Sequence, residues 1–305
     1  ASRDGGKTLL DSSAGIVNAR VNAVAVSPAF ATDRTVFFGT AYQGVAQTTD
    51  GGATVEYGNA GLTSLNILTL ALSPAFAVDH IVAAGTDGGG MSVSRDGGDS
   101  WSGLSDLSGC SVPWVAFAPD YAVSKTAFIA VEGDGLWRTR DGFASVQRLP
   151  RLSAGDDLFD DVVDCVAIST VFAEDRTLFV GTHSGRLYRS TDGGDSLSLL
   201  DAGGLPGYAL KDMRLSPSYV DDGTIYLCTD YGTGSTREAG VYRSTDRGLH
   251  WTQVASYVWY DALRISDAYA TDGTVLAVSW GSGLDITTNR GLVFGSVGSG
   301  IPLVG

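Results

Sequence analysis

The sequence predicts an all-β fold: a β-propeller of four-stranded antiparallel blades, with six complete repeat units and a partial seventh, hence six or seven blades. Three observations lead there. A short turn motif recurs seven times, a second motif recurs in fixed phase with it, and the segments between them carry strand patterning without a helical period.

The turn motif is Ser or Thr, any residue, then Asp and Gly. It opens the chain at Ser2-Arg3-Asp4-Gly5-Gly6 and returns around Asp50, Asp96, Asp141 and Asp192, then at Asp246 with Arg247 ahead of Gly248, with a drifted copy at Asn289. These positions lie 46, 46, 45, 51, 54 and 43 residues apart. Such a period marks units that are each one supersecondary element and bury their apolar faces only against neighbours. At a hairpin turn, an Asp or Asn side chain accepts hydrogen bonds from nearby backbone N–H groups, and Gly permits the positive φ the turn requires. The seven side chains are therefore read as structural turns that close hairpins, not as catalytic carboxylates.

The second motif places Ser-Pro-Ala-Phe or a variant ahead of each middle strand. Ser27-Pro28-Ala29-Phe30 precedes Thr35-Val36-Phe37, and Ser73-Pro74-Ala75-Phe76 precedes Ile81-Val82. Ala118-Pro119-Asp120-Tyr121, Ser169-Thr170-Val171-Phe172, Ser216-Pro217-Ser218-Tyr219 and Ser266-Asp267-Ala268-Tyr269 keep the same phase. Each copy follows a short alternating apolar run and precedes one rich in β-branched and aromatic residues. Each unit thus reads as an inner strand A, a loop carrying the Phe or Tyr, a strand B, a strand C ending in the turn motif, and an outer strand D. The units fall at roughly 22–56, 68–102, 113–147, 163–198, 211–253 and 261–295 within one domain of 1–305. Residues 1–12 are the partial unit, either decorating six closed blades or supplying the outer strand of a split seventh. In the second case the missing strands come from a longer native chain or another chain that completes the blade.

The turn motif resembles the Asp-box, or BNR repeat, of sialidases, sortilin-type receptors, xyloglucan-cleaving enzymes and photosystem-assembly propellers. That pattern is Ser/Thr-x-Asp-x-Gly-x-x-Trp/Phe. Its last slot here holds Leu9, Val55, Trp101, Val146, Leu197, Trp251 and Phe294 or its neighbour Val293. The resemblance covers nearly the whole chain and speaks to fold, not activity. It implies that the binding or active site lies on the face built from the B–C and D–A loops. A sialidase needs three arginines on the substrate carboxylate, a Tyr–Glu pair, an Asp acid/base and an Arg-Ile-Pro motif on the first inner strand. The nearest match, Arg148-Leu149-Pro150, follows the fourth turn motif and is out of place. A xyloglucanase-like hydrolase would need only two carboxylates across a cleft, but in that family the cleft lies between two propellers, and this chain has material for one.

Composition narrows the partners. The net charge is −14 with only three lysines, Lys7, Lys125 and Lys211, which argues against nucleic acid and against adhesion to anionic lipid. No apolar run is long enough to span a bilayer and no signal peptide is visible, so no membrane insertion is expected. The turn-rich composition, with 41 Gly, suits a secreted or surface-exposed domain, and a start inside a motif suggests a processed or incompletely represented chain. Cys110, Cys165 and Cys228 are odd in number; Cys165 and Cys228 read as small buried residues, with a disulfide as the alternative. His80, His183 and His250 sit far apart in repeat phase, so no zinc site and no cofactor are expected.

The presumed site face is acidic and aromatic. B–C loops bring Tyr42, Asp87, Glu132, Asp134, His183, the segment Thr229 to Gly240, and Trp280. D–A loops bring Trp114, the acidic run at Asp156, Asp157, Asp160 and Asp161, and the cluster Tyr257-Val258-Trp259-Tyr260-Asp261. The acidic run is open to two readings, a calcium site or a solvated loop, and lacks the spacing of a dedicated calcium loop. The middle of strand A is Ala25, Ala71, Ala116 and Ala167 in four units but Arg214 and Arg264 in the last two. Two such guanidiniums either bind a carboxylate or phosphate, or pair with a nearby acid such as Asp212 or Asp261. The ligand-binding candidates are Arg214, Arg264, Trp259, Tyr260, Asp261, Trp280 and Tyr42. The expected function is a non-catalytic, extracellular recognition or structural propeller that binds a protein or carbohydrate partner; the alternative is a glycoside hydrolase.

Overall fold

The computed structural model describes residues 15–16, 20–149, 162–230, 238–256, 258–279 and 283–296. The partial unit at 1–12, with Asp4, lies outside the described residues, as do Trp280 and Asp156, Asp157, Asp160 and Asp161. The described residues form two compact units, 15–149 and 162–296.

The first unit holds three four-stranded antiparallel blades. They are β1 (Val21–Val26), β2 (Val36–Thr40), β3 (Gly44–Thr48) and β4 (Glu56–Tyr57); β5 (Ile67–Leu72), β6 (Val82–Thr86), β7 (Met91–Ser94) and β8 (Ser102–Gly103); and β9 (Trp114–Phe117), β10 (Ala127–Val131), β11 (Gly135–Thr139) and β12 (Gln147–Arg148). The second unit repeats the plan. Its blades are β13 (Val163–Ile168), β14 (Leu178–Thr182), β15 (Leu187–Ser190) and β16 (Ser198–Leu199); β17 (Leu210–Leu215), β18 (Ile225–Thr229), β19 (Gly240–Ser244) and β20 (Thr252–Ser256); and β21 (Tyr260–Ile265), β22 (Val275–Ser279), β23 (Gly283–Thr287) and β24 (Gly295–Ser296). Within every blade the strands pair in chain order.

Position in the blade sets each strand's composition. The second strands read as near-continuous apolar runs, and β6, β10, β14 and β18 are buried along their whole length, as the apolar run predicts. Most of the outer strands, by contrast, are two residues long and exposed, which blunts the free sheet edge. Apolar clusters fill the space between consecutive blades of one unit. Phe37, Ile67, Phe76 and Trp101 lie in one such cluster, and Phe179, Leu210, Tyr219 and Trp251 in its counterpart in the second unit.

The A–B segments, expected as loops, are single helical turns: α1 (Phe30–Asp33), α2 (Phe76–Asp79), α3 (Tyr121–Ser124), α4 (Phe172–Asp175), α5 (Tyr219–Asp222) and α6 (Tyr269–Asp272). One turn is too short to show a 3.6-residue period, so periodicity alone misses it. Each ends on a left-handed residue, Arg34, His80, Lys125, Arg176, Gly223 or Gly273. Five blades lock the turn with a Ser–Asp pair, such as Ser73 Oγ donating to Asp79 Oδ2 at 2.7 Å while Asp79 Oδ1 accepts from the Ile81 N–H at 3.1 Å. In five blades the aromatic that opens the turn plugs the core, since Phe76, Tyr121, Phe172, Tyr219 and Tyr269 are buried, whereas Phe30 in the first blade is exposed.

The C–D turns repeat one hydrogen-bond pattern. In the second blade Asp96 Oδ1 accepts from Ser94 Oγ at 2.7 Å and from the Ser100 N–H at 3.0 Å. Asp50, Asp141, Asp192, Asp246 and Asn289 make equivalent bonds. Each of these turns also donates a backbone N–H to the residue that ends the helical turn, as Gly97 does to His80 and Gly193 to Arg176. The helical turn and the C–D turn of a blade therefore share one rim. The B–C turns and D–A segments share the opposite rim, joined by bonds such as Gly90 N–H to the Cys110 carbonyl and His183 N–H to the Val162 carbonyl.

Candidate functional site

The second rim is where the repeats diverge most. In five blades the inner strand carries a bulge after its first residue, at Val21/Ala23, Ile67/Thr69, Val163/Cys165, Leu210/Asp212 and Tyr260/Ala262. A bulge frees one residue from the ladder and re-aims its side chain. The residues so placed are Asn22 and Leu68 in the first unit and Asp164, Lys211 and Asp261 in the second, so the two units offer different chemistry at one structural position.

In the second unit Asp212 holds the two candidate arginines. It is buried, with Oδ1 accepting from the Met213 N–H at 2.9 Å and Oδ2 from the Leu263 N–H at 2.8 Å. The same Oδ2 accepts from Arg214 Nε at 3.3 Å and Nη2 at 3.2 Å, and Arg264 Nη1 lies 3.5 Å away. The Leu263 carbonyl takes a further bond from each arginine, at 3.2 Å from Arg214 Nε and 2.7 Å from Arg264 Nη1. Equivalent positions on adjacent inner strands thus bring both guanidiniums onto one carboxylate, and the pairing partner is Asp212 rather than Asp261. One carboxylate for two guanidiniums leaves a local excess of positive charge. The Arg264 side chain is 60% exposed and Arg214 36%. Desolvation, and after it the neighbouring Arg214 charge, pulls the Arg264 pKa below its ordinary value, with Asp212 opposing. An added anion would offset both effects.

Acidic groups flank the pair. Asp164 Oδ2 lies 3.0 Å from His183 Nδ1, and burial pushes the Asp164 carboxyl up, opposed by Lys211 and His183. Desolvation also raises Asp261, which Lys211 offsets and Asp230 reinforces. This Asp164, His183, Lys211 and Asp230 grouping was not singled out from the sequence; the one signal for it is the bulge register, which becomes readable once the strands are paired.

The aromatic candidates part company. Tyr260 is buried and its hydroxyl donates to Asp285 Oδ2 at 2.7 Å, so its ring belongs to the blade core and offers no stacking surface. Strand alternation turns it inward as the first residue of β21. Trp259 is half-buried just ahead of it. Tyr42 stands in the first unit, on the β2–β3 turn, and is 78% exposed. Arg148, of the misplaced Arg-Leu-Pro sequence, is bound to Asp134 at 2.8 Å. Cys110, Cys165 and Cys228 are free thiols, and Cys165 donates to the Leu210 carbonyl at 3.0 Å. Among the described residues no three His, Cys, Asp or Glu side chains are grouped to hold a metal ion, and no helix is long and apolar enough to cross a membrane.

No family profile matches the chain, and no curated protein matches it. Solved structures do. The GH74 xyloglucanase from Xanthomonas campestris superposes with a TM-score of 0.70 at 17% identity, covering 92% of this chain and 47% of that one, so this chain spans under half of the xyloglucanase. YCF48 bound to D1 peptide gives a TM-score of 0.62 at 14% identity over 90% of this chain and 80% of that one. The extracellular domain of a hybrid two-component system from B. thetaiotaomicron gives 0.63 at 13% identity, covering 93% and 35%. At these identities the likeness shows the fold alone: six four-stranded blades of a β-propeller.

Proposed function

We propose that the protein is a non-catalytic, extracellular or cell-surface recognition propeller of the Asp-box kind that binds a carboxylate of a protein or glycan partner at the Arg214–Arg264 pair. The observation that carries this reading is the charge imbalance on Asp212: two guanidiniums, one buried carboxylate, and an arginine left largely open. A planar carboxylate matches the fork of a guanidinium and would complete the pairing. That a neighbour of the same fold was solved with a peptide bound supports a protein partner.

Peptides ending in a free carboxylate, their amidated counterparts, and uronate-bearing and neutral glycans test the reading by titration. Binding should require the carboxylate, weaken by about tenfold in Arg264→Ala, and fade as salt rises. Equal binding of amidated peptides would remove the anion from the account. A glycoside hydrolase is the second reading, favoured by two carboxyls on this rim, Asp164 and Asp261, that burial shifts upward, the direction a general acid needs. Turnover of xyloglucan that is lost in Asp164→Asn or Asp261→Asn would establish it.

A further inference from the structure

Tyr42 occupies a turn position that the other two blades of its unit fill with glycine. Counting from the end of the second strand, Tyr42 matches Gly88 and Gly133. All three have positive φ, 74°, 67° and 68°. Glycine adopts that conformation freely; an aromatic residue does so only against a steric cost. Packing does not repay the cost, because the ring is exposed. The turn itself is held firmly. The Ala41 N–H donates to the Arg20 carbonyl and the Gly44 N–H to the Leu65 carbonyl, both at 2.8 Å. Asn59 brackets the far side, accepting from the Val45 N–H and donating to the Gln43 carbonyl, both at 2.9 Å. A costly, exposed aromatic on a fixed turn is the pattern of a side chain kept for what it meets.

What it borders is a depression of about 490 Å³, lined by Arg20, Asn22, Ala41, Tyr42, Asn66 and Leu68. That volume is in the range of small-ligand sites. The amide orientations of both asparagines are fixed by their partners. Asn22 Nδ2 donates to the Ile67 carbonyl at 2.9 Å and Asn66 Nδ2 to the Asp87 carboxylate at 3.0 Å. Carbonyls and carboxylates only accept, so the Oδ1 atom of each asparagine is the free acceptor, and neither has a donor among the described residues. The Arg20 guanidinium likewise has no partner among the described residues. The site therefore presents two neutral acceptors, one cationic donor, one aromatic face and one leucine.

These features select a ligand class. A carboxylate or phosphate would set its own lone pairs against both Oδ1 atoms and near the Asp87 charge. A cation would meet Arg20, and a hydrocarbon would leave every polar group unanswered. A hydroxylated ring with an apolar C–H face satisfies all of them, because its hydroxyls donate to the asparagines, its oxygens accept from Arg20, and its C–H edge lies on the negative face of the tyrosine. We propose that this depression is a subsite for a neutral pyranose of a glycan, stacked on Tyr42 and bonded by Asn22, Asn66 and Arg20. The inference rests on residues of the first unit alone and stands whether or not the arginine pair of the second unit binds a carboxylate.

Saturation-transfer NMR and calorimetry with cellotetraose, lactose and mannobiose, and with glucuronic acid as the charged counterpart, test it on the whole chain. Tyr42→Asn removes the ring while keeping a residue that tolerates positive φ, and Asn22→Leu removes an acceptor. At least one neutral sugar should bind saturably and more tightly than glucuronic acid, with affinity falling by about tenfold in each variant while circular dichroism shows the fold retained. The proposal is overturned if no neutral sugar binds at millimolar concentration, if either variant binds like the parent, or if glucuronic acid binds more tightly.

Discussion

The inner strands of the two units follow one plan and carry opposite chemistry. In the first unit the repeat positions are Asn22 and Leu68 at the bulge, with Pro113 ahead of the unbulged third inner strand, then Ala23, Thr69 and Trp114, and Ala25, Ala71 and Ala116 further along. In the second they are Asp164, Lys211 and Asp261, then Cys165, Asp212 and Ala262, then Ala167, Arg214 and Arg264. The bulges and the apolar clusters recur in both units, so the fold places no demand for charge at these positions. The charged set is an addition to a scaffold that the first unit completes with neutral side chains. Within it Asp212, Arg214 and Arg264 bond one another and Asp164 pairs with His183, as expected where unpaired charge is costly to bury.

The largest test of this contrast removes the carboxylate that joins the two arginines. Asp212→Ala leaves two facing guanidiniums and two buried backbone donors unanswered, and should cost about 3 kcal/mol in denaturant unfolding. The matching change in the first unit, Thr69→Ala, should cost under about 1 kcal/mol, since Thr69 is only half-buried and its hydroxyl has no hydrogen-bond partner among the described residues. Equal losses would mean that the Asp212 network stabilises nothing beyond ordinary packing.

A transplant sharpens the same point. Ala71→Arg puts a guanidinium where the first unit has no acid, and should cost about 2 kcal/mol. Adding Thr69→Asp should recover about half of that, because the geometry that lets Asp212 reach Arg214 two residues away repeats here. If the double variant is no more stable than the single one, the pairing depends on surroundings peculiar to the second unit.

The C–D turns predict the opposite, an effect blind to the unit. Asp96→Ala in the first unit and Asp192→Ala in the second should each cost about 1 kcal/mol, by analogy with other side-chain caps. The Ser100 hydroxyl and N–H hold the Asp96 carboxyl at about 2; Asp192 is also held at about 2, by the Ser196 hydroxyl and N–H against the pull of desolvation. Because the folded-state value lies below the unfolded one, this contribution is complete above about pH 4 and disappears as pH falls through about 2. Stability curves of parent and variant should converge at the acid end, and a constant gap down to pH 2 would contradict the assignment.

The smallest expected change is the stability effect of Arg264→Ala. Its side chain is mostly exposed and Arg214 keeps the Asp212 carboxylate paired, so thermal unfolding should move by less than about 1 kcal/mol even where anion binding is lost. A loss comparable to that of Asp212→Ala would make the arginine structural.

Six complete units and the order of their strands were legible in the chain, with six or seven blades left open, because a residue pattern that recurs at a fixed period reports local structure, and local structure is where the repeat lives. The single helical turns escaped, since the aromatic at Phe76 or Tyr219 was visible but one turn of helix leaves no period to read. The candidate site was legible only as departures from the repeat. Arg214 and Arg264 stood out against four alanines, and Tyr260 stood out too, yet the first two meet on Asp212 and the last turns into the core.

The sequence by itself determined the blade, because Ser-x-Asp-Gly turns, apolar second strands and short outer strands are satisfied by contacts within about fifty residues. Only the tertiary structure decided which side chains act together. The bulge that aligns Asp164, Lys211 and Asp261 exists only in the paired strands. The carboxylate that serves both arginines reaches across from one blade to the next, to Leu263 51 residues away. The depression beneath Tyr42 is likewise closed by Asn66 and Leu68 from the neighbouring blade. Spacing along a chain fixes the first kind of contact; the second depends on which strands lie side by side, and a one-residue shift in register would send each of those side chains to the other face.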